Sequence, residues 1–191
     1  MNINERLEEL TKDKDFNNDQ MREISIGLLN NFTDEQMALY VNEKFDCEQM
    51  EQIRYGLEDG LTIEQIELYT DPKYNDDQMY QIRLGLEKGF SEEQIKLYID
   101  PKFNYLQMRE IRYGLEDGLK IEQVKIYADE KFDGKQMAEI RDGLEEGISI
   151  EQVKIYANEN FTIHQMFFLR EILENKSNKE FIRAIKQALE I

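Results

Sequence analysis

The dipeptide Gln-Met recurs at a fixed interval and sets the register of the sequence around it. It begins at residues 20, 49, 78, 107, 136 and 165, so each step is 29 residues long without an insertion or deletion. Self-similarity at such a period is typical of stacked supersecondary units, in which each unit packs against its neighbours. The sequence therefore predicts a solenoid, and this periodicity outweighs any local propensity.

The first half of each repeat predicts a helix, here called helix A. In the repeat at residues 45–73, Asp46 is the expected N-cap, with Gln49 as its capping-box partner and Phe45 packing on Met50 as a hydrophobic staple. The same position holds a residue able to cap in all six repeats: Asn17, Asp46, Asn75, Asn104, Asp133 and Thr162. Helix A is expected to run for about four turns and to end at Gly60, where a left-handed residue belongs.

The second half predicts a shorter helix B of about two turns. Thr62 and Gln65 repeat the capping-box spacing, and the helix is expected to end at Asp71, because a residue before proline avoids the helical region. Neither helix can bury its apolar face alone, so neighbouring repeats must supply the core.

These patterns predict an all-α fold, an α-solenoid of six 29-residue helix-turn-helix repeats with capping helices at both ends. A single elongated domain is expected over residues 1–191. Residues 1–15 read as a degenerate helix B in which Asn4 takes the place of Thr62, and residues 16–160 hold five full repeats. Residues 161–191 are a sixth, degenerate repeat followed by a C-terminal capping helix, with Asn178 as its N-cap.

The composition favours a cytoplasmic protein without direct contact to membranes or nucleic acids. There is no apolar run near 18 residues and no signal peptide or lipidation signal. The net charge is −17, from 41 acidic and 24 basic residues. One glutamate per repeat stands at the second position of helix B, where the helix dipole favours an anion: Glu35, Glu64, Glu93, Glu122 and Glu151. The remaining charge repels nucleic acids and anionic membranes, and leaves basic proteins as the expected charged partners.

No pattern in the sequence indicates catalysis, a metal site or a cofactor. His164 is the only histidine and Cys47 the only cysteine, and other repeats place unrelated residues in both columns. The acidic alternation from Asp13 to Asp19 resembles a calcium loop, but Asn18 and Ile24 stand where that loop needs glycine and glutamate. The sequence therefore predicts a protein that is not an enzyme and binds no metal or cofactor.

An arginine recurs in helix A and is followed four residues later by a glutamate. The arginines are Arg54, Arg83, Arg112, Arg141 and Arg170. Such a column could bind a phosphate polymer, but it lies at the edge of the apolar face, which favours structural pairing along or between repeats. A mid-helix glycine recurs at Gly27, Gly56, Gly85, Gly114 and Gly143, and is expected to permit close helix contact at a cost of about 1 kcal/mol each in propensity.

The face of helix A opposite the core, called the outer face below, carries the columns of residues 48, 51 and 55. These columns differ from repeat to repeat, and the middle repeats are aromatic. The predicted partner-binding residues form an aromatic and apolar patch, Tyr55, Tyr80, Leu84, Leu106, Arg109 and Tyr113, flanked by the acidic residues Glu48, Glu51 and Asp59. Tyrosine and arginine are common in binding hot spots. The alternative is that solenoid curvature buries part of this face, or that single exposed apolar residues carry no function.

The pattern FDxxQMxxIRxGLExGLxxEQ, from Phe16 to about Glu174, resembles tandem helical repeats found in uncharacterised bacterial, phage and mobile-element proteins. The resemblance implies an inhibitor of a host defence protein, of the anti-restriction or anti-CRISPR kind. We therefore expect a non-catalytic adaptor or inhibitor that blocks a protein partner. The acidic surface could make it a nucleic-acid mimic that engages a basic nucleic-acid-binding protein. The alternative is a structural or regulatory protein that self-associates through its end caps.

Overall fold

A computed structural model describes residues 2–174 and 183, and the regular elements in that part of the chain are all α-helices. The predicted all-α class is confirmed, whereas the predicted C-terminal capping helix and its N-cap Asn178 lie outside the described residues. The helices are α1 (Ile3–Thr11), α2 (Asn18–Leu29), α3 (Asp34–Tyr40), α4 (Cys47–Glu58), α5 (Ile63–Glu67), α6 (Asp76–Glu87), α7 (Glu92–Ile95), α8 (Tyr105–Glu116), α9 (Ile121–Val124), α10 (Gly134–Glu145), α11 (Ile150–Tyr156) and α12 (Ile163–Glu174).

Each helix A begins at the predicted cap. In α4, the Asp46 side chain accepts a hydrogen bond from the Gln49 backbone N–H at 2.8 Å, and Gln49 Oε1 accepts from the Asp46 N–H at 2.9 Å. Phe45 and Met50, the predicted staple, are both buried. The same reciprocal box opens α2, α6, α8 and α10. The start of helix A is therefore determined by hydrogen bonds between residues that lie three positions apart in the sequence.

In the first five repeats helix A ends in a left-handed residue, and in four of them this residue is the predicted glycine. Gly60 has φ +84°, and the Leu61 N–H bonds the Gly56 carbonyl while the Gly60 N–H bonds the Leu57 carbonyl. This pair of bonds is the Schellman motif, which satisfies carbonyls that the helix leaves free. In the first repeat Asn31 takes the left-handed position with φ 59°, a conformation that asparagine tolerates better than most residues.

Helix B is shorter than predicted in the middle of the chain. It has seven residues in α3 and α11, five in α5 and four in α7 and α9. In α5 the capping box of Thr62 and Gln65 forms as expected, but the helix ends at Glu67 rather than at Asp71. The last turn tightens because the Tyr69 N–H bonds the Ile66 carbonyl, three residues back. This tightening accompanies the complete burial of the Tyr69 ring.

The first helix also starts earlier than predicted. Asn2, not Asn4, is the N-cap of α1, and its side chain exchanges hydrogen bonds with Glu5. A helix capped by Asn4 would place Leu7 at the third position, and leucine cannot return a hydrogen bond. None of the nine residues of α1 is buried.

The chain divides into two compact units, Met1–Ser91 and Glu92–Ile191. In the first unit α1, α2, α4 and α6 pack in chain order, and in the second α10 lies between α8 and α12. The core of each unit combines methionine, isoleucine and leucine of helix A with apolar residues of helix B and a tyrosine at or just after the end of each helix B. A membrane-spanning helix needs about 20 residues, and no helix of the described chain exceeds 12 residues or is apolar enough for that purpose.

A tyrosine at or just after the end of helix B docks on the glycine of the preceding helix A. A Cβ atom added to Gly56 would lie 2.1 Å from the Tyr69 hydroxyl oxygen, and one added to Gly114 would lie 2.0 Å from that of Tyr127. The Tyr69 hydroxyl donates to the Gln52 carbonyl at 3.3 Å. Burial raises the pKa of Tyr69 well above its usual range. The glycines thus permit a close contact, as predicted, but a tyrosine side chain makes it rather than a neighbouring helix.

The capping glutamine of helix A also joins one repeat to the next. Gln107 Oε1 accepts from the Asn104 N–H, while its Nε2 donates to the Phe132 carbonyl at 2.7 Å. Gln49 makes the same connection to the Tyr74 carbonyl at 2.5 Å. Only an amide can accept at one end and donate at the other, so these positions need glutamine rather than glutamate.

Candidate functional site

The arginine column forms a ladder of buried ion pairs. Arg54 is 6% exposed, and its Nε donates to Oε2 of Glu23, itself 2% exposed, at 2.7 Å. Its Nη1 donates to Glu58, one turn further along α4, also at 2.7 Å. Removal of either member of a buried pair leaves the other charge uncompensated. The predicted structural pairing along and between repeats is confirmed here.

The same geometry recurs at other junctions within the units. Arg83 Nε donates to Gln52 Oε1 at 3.2 Å, and Arg170 Nε donates to Glu139 at 3.1 Å, each 31 residues back in sequence. A second acceptor lies 24 residues back, Asp59 for Arg83 at 3.2 Å. Asp59, predicted to bind a partner, is thus also a partner of Arg83 inside the fold, although its side chain remains 53% exposed.

Two glutamates of this ladder have raised pKa values. Partial burial raises the pKa of Glu87, and the neighbouring Asp59 raises it further, while Arg83 opposes both effects. Glu145 follows the same pattern, with burial first and Asp117 and Asp142 adding to the rise, against Arg141. Burial is thus the main cause of both shifts, and the neighbouring carboxylates add to it.

The predicted aromatic residues of the first unit stack with the ladder. The Arg54 guanidinium lies 4.5 Å from the centre of the Tyr55 ring, and the Arg83 guanidinium lies 5.4 Å from the rings of both Tyr55 and Tyr80. The Tyr55 hydroxyl donates to Glu51 at 2.9 Å. Tyr80 remains 40% exposed. The structure therefore brings Glu51, Tyr55 and Tyr80 together, with Arg83 between the rings.

Leu84 is half-buried on α6 and Glu48 is exposed on α4. Both lie on the outer face, where neither is part of the core. The sequence placed Arg83 in the arginine column, but its position between the rings of Tyr55 and Tyr80 was not predicted.

The remaining predicted residues, Leu106, Arg109 and Tyr113, belong to the second unit and are half-buried on α8. Arg109 pairs with Glu110 at 2.9 Å, and its guanidinium lies 5.8 Å from the Tyr113 ring. Two further guanidiniums, of Arg112 and Arg141, lie 4.7 and 5.8 Å from that ring. A Cβ atom at Gly134 would lie 2.9 Å from Leu106 Cβ, so Leu106 packs against the start of α10. The continuity of the patch across both units stays a prediction.

Cys47 is held as a thiol. Its Sγ donates to Oε2 of Glu48 at 2.9 Å, and this hydrogen bond raises the pKa of Cys47 to about 11. The position at the start of α4 would by itself favour a thiolate, but the adjacent carboxylate outweighs that effect. Among the described residues, no group of three or more His, Cys, Asp or Glu side chains is placed to hold a metal ion.

At pH 8, iodoacetamide is expected to alkylate Cys47 at least about tenfold more slowly than an ordinary exposed cysteine, because the thiolate is the nucleophile. Replacing Glu48 with glutamine removes the charged acceptor and should accelerate alkylation several-fold. Mass spectrometry of timed samples gives both rates, with Glu35→Gln as a control for a lost carboxylate elsewhere. Equal rates for the wild type and Glu48→Gln would contradict the assigned hydrogen bond.

Comparison with known proteins gives no assignment for this surface: no protein-family model, curated protein or solved structure matches the chain.

Proposed function

We propose that the chain is a non-catalytic protein-binding scaffold, built as an α-solenoid of six repeats with a capping helix at each end. Repeated junctions within each unit support this architecture, because the same glutamine and arginine contacts join successive repeats. A scaffold of this type offers a rigid surface whose side chains can vary freely.

The proposal rests on a difference between two positions of helix A: the buried position keeps one residue type across the repeats, and the outer position does not. Position 50 and its equivalents are methionine in five successive repeats, and each is fully buried: Met50, Met79, Met108, Met137 and Met166. The adjacent outer position changes in every one of them: Glu51, Tyr80, Arg109, Ala138 and Phe167. A constant core with a variable surface is expected where the scaffold serves to present a binding face.

The protein acts as an adaptor or inhibitor by covering a surface that its partner needs. The exposed carboxylates of Glu48 and Asp77 support an acidic nucleic-acid mimic directed at a basic protein, such as a host defence protein. The resemblance to repeats of phage and mobile-element proteins agrees with such a target. Many of the acidic side chains, however, already cap helices or pair with the arginine ladder. The nucleic-acid mimic is therefore a more specific version of the proposal, which as a whole requires only that the outer face binds a protein.

Self-assembly through the ends receives less support, because the arginine ladder is not extended at either end. The first repeat has Ser25 in the arginine column, and the sixth has Phe168 in the column of the buried acceptors Glu23 and Glu110. A second copy stacked head to tail would bring Ser25 opposite Phe168, so the new junction would lack both members of this pair. Binding of a different protein through the outer face is favoured for that reason.

Replacing both Tyr80 and Tyr113 with alanine should weaken binding of the natural partner at least about tenfold and leave helicity nearly unchanged. The partner is first captured from host lysate with the wild-type protein, and its affinity for each variant is then measured by calorimetry. Tyr105→Ala is the matched control, since Tyr105 is 39% exposed at the start of α8 but lies outside the outer-face columns.

Undiminished binding by the double variant would exclude this surface.

If the partner binds nucleic acid, the mimic predicts that the wild-type protein displaces DNA or RNA and that Glu48→Lys with Asp77→Lys does not. These two sites are preferred to Glu51 and Asp59, whose carboxylates bond Tyr55 and Arg83 inside the fold. A ternary complex with nucleic acid still bound would leave an adaptor and eliminate the mimic.

A further inference from the structure

Arginine and tyrosine alternate along the outer face of the first unit and form a short stack. The order in space is Arg54, Tyr55, Arg83 and Tyr80, with guanidinium-to-ring distances of 4.5, 5.4 and 5.4 Å. Tyr55 is half-buried between two guanidiniums. Tyr80 stacks with Arg83 and is still 40% exposed, so part of its ring remains open to a further planar cation.

Carboxylates surround the open end of this stack. Asp77 is exposed and stands three residues before Tyr80 on α6, which places both side chains on one helix face. On α4, the exposed Glu48 occupies the column of Asp77, and Glu51 occupies that of Tyr80. The repeat at residues 45–73 as a whole has eight acidic and two basic residues. The exposed part of the Tyr80 ring therefore lies on a face whose neighbouring charges are negative.

The second unit lacks this combination at the same columns. Its outer face has Leu106 and Lys135 in the column of Glu48, and Arg109 and Ala138 in the column of Glu51. Tyr113 already has three guanidiniums within 6 Å of its ring centre. Charge complementarity with a cationic partner is therefore a property of the first unit.

The chain itself shows how a guanidinium is held on this scaffold. Arg54 combines carboxylate contacts, to Glu23 and Glu58, with stacking on Tyr55. The planar guanidinium suits both contacts at once, whereas a lysine ammonium is a point charge that stacks less well. A partner's arginine could make the same two kinds of contact at Tyr80.

We propose that the outer face of the first unit binds an arginine-rich segment of the partner protein, with an arginine side chain stacked on Tyr80 and its charge facing Asp77, Glu48 and Glu51. This inference rests on the proposed function and names the chemistry of the partner. Arginine is selected over lysine because the ring adds to the attraction between opposite charges.

Two synthetic peptides test the proposal, GRGRGRGRG and GKGKGKGKG, which carry equal charge. Their affinities for the full chain are measured by fluorescence anisotropy at 150 mM salt, where weak surface attraction is screened. The wild-type protein is expected to bind the arginine peptide about three- to tenfold more tightly than the lysine peptide, as expected for one cation–π contact. Equal affinities, or no binding of either peptide, would overturn the proposal.

Variants separate the ring from the charge. Tyr80→Leu should reduce the arginine preference to about one while leaving the affinity for the lysine peptide unchanged. Glu48→Gln with Asp77→Asn should weaken both peptides at least about threefold, whereas the matched control Glu8→Gln with Glu67→Gln should not. Tyr113→Leu, in the second unit, should keep the preference. Circular dichroism confirms that each variant is folded, and a preference that survives Tyr80→Leu would overturn the assigned contact.

The peptide test and the capture of a natural partner can fail separately. A partner lost on replacing Tyr80 and Tyr113, without any arginine preference in the peptides, would overturn this inference and leave the proposed function standing. An arginine preference that depends on Tyr80 supports the inference on its own, because it needs no captured partner.

Discussion

Replacing Gly56 with alanine is expected to lower the free energy of unfolding by about 3 kcal/mol, although alanine normally stabilises a helix interior by about 1 kcal/mol. The new Cβ atom would lie 2.1 Å from the Tyr69 hydroxyl oxygen, well inside contact distance. Tyr69 would have to leave its buried site, where it joins helix B to helix A. Urea unfolding of the full chain, followed by circular dichroism, measures the loss.

A second substitution shows whether the hydroxyl is the obstacle. Tyr69→Phe removes it and should cost about 1 kcal/mol, for the lost hydrogen bond to the Gln52 carbonyl. In the double variant, the nearest remaining atoms to the Cβ are Leu61 Cδ1 at 3.3 Å and the ring carbon Cζ at 3.5 Å. The double variant should therefore be about as stable as Tyr69→Phe alone. An undiminished effect of Gly56→Ala in the phenylalanine background would contradict the docking of Tyr69.

The substitution Arg54→Met should destabilise the protein by about 3–5 kcal/mol, the usual effect of removing one member of a buried pair. Methionine fills much of the arginine volume but leaves Glu23, 2% exposed, without its Nε donor. The same substitution at Arg22 is the matched control. The Arg22 side chain is 70% exposed and lies 3.6 Å from the other oxygen of Glu23. Its removal should cost less than about 1 kcal/mol, as for other surface pairs.

Glu23→Gln adds a test from the chain's own sequence. Gln52 occupies the equivalent position one repeat later and accepts from Arg83 at 3.2 Å. An amide is therefore an acceptable partner for this arginine column, and Glu23→Gln should cost far less than Arg54→Met. Equal losses for Arg54→Met and Arg22→Met in denaturant unfolding would show that the ladder adds no more than surface pairing.

Helix starts and ends were predictable because their determinants are local. Asp46 and Gln49 are three residues apart and satisfy each other, and Gly60 supplies the left-handed residue that stops the helix. The α1 error has the same origin. The comparison with Thr62 pointed to Asn4, whereas the competing capping box of Asn2 and Glu5 decided the start. The proline signal at Pro72 did not set the end of α5, since the Tyr69 N–H already bonds the Ile66 carbonyl three residues back.

The sequence predicted which types of residue make contacts between repeats, but not the individual partners. The sequence indicated that the arginine column pairs, but several acidic columns stood within reach, and the spacing of 31 residues between Arg54 and Glu23 is set by packing. The partner of Gly56 was also hidden, although a tyrosine follows each of these glycines after 13 residues. Of the predicted surface, Tyr55 and Tyr80 lie on one face, but the cation between them, Arg83, emerged from the side-chain geometry.

The hydrogen bonds that Gln20, Gln49, Gln107 and Gln136 donate to the next repeat bear on how such a chain can change its length. The Tyr74 carbonyl accepts from Gln49, so the segment between these two residues spans a fixed distance instead of acting as a spacer. One residue inserted between Gln49 and Tyr69 would shift both the Tyr74 carbonyl and the Tyr69 side chain relative to helix A. Small insertions and deletions are thus expected to break these junctions, in agreement with the unbroken 29-residue interval. Only the duplication or loss of a whole repeat changes the length of the chain and keeps the contacts between neighbouring repeats.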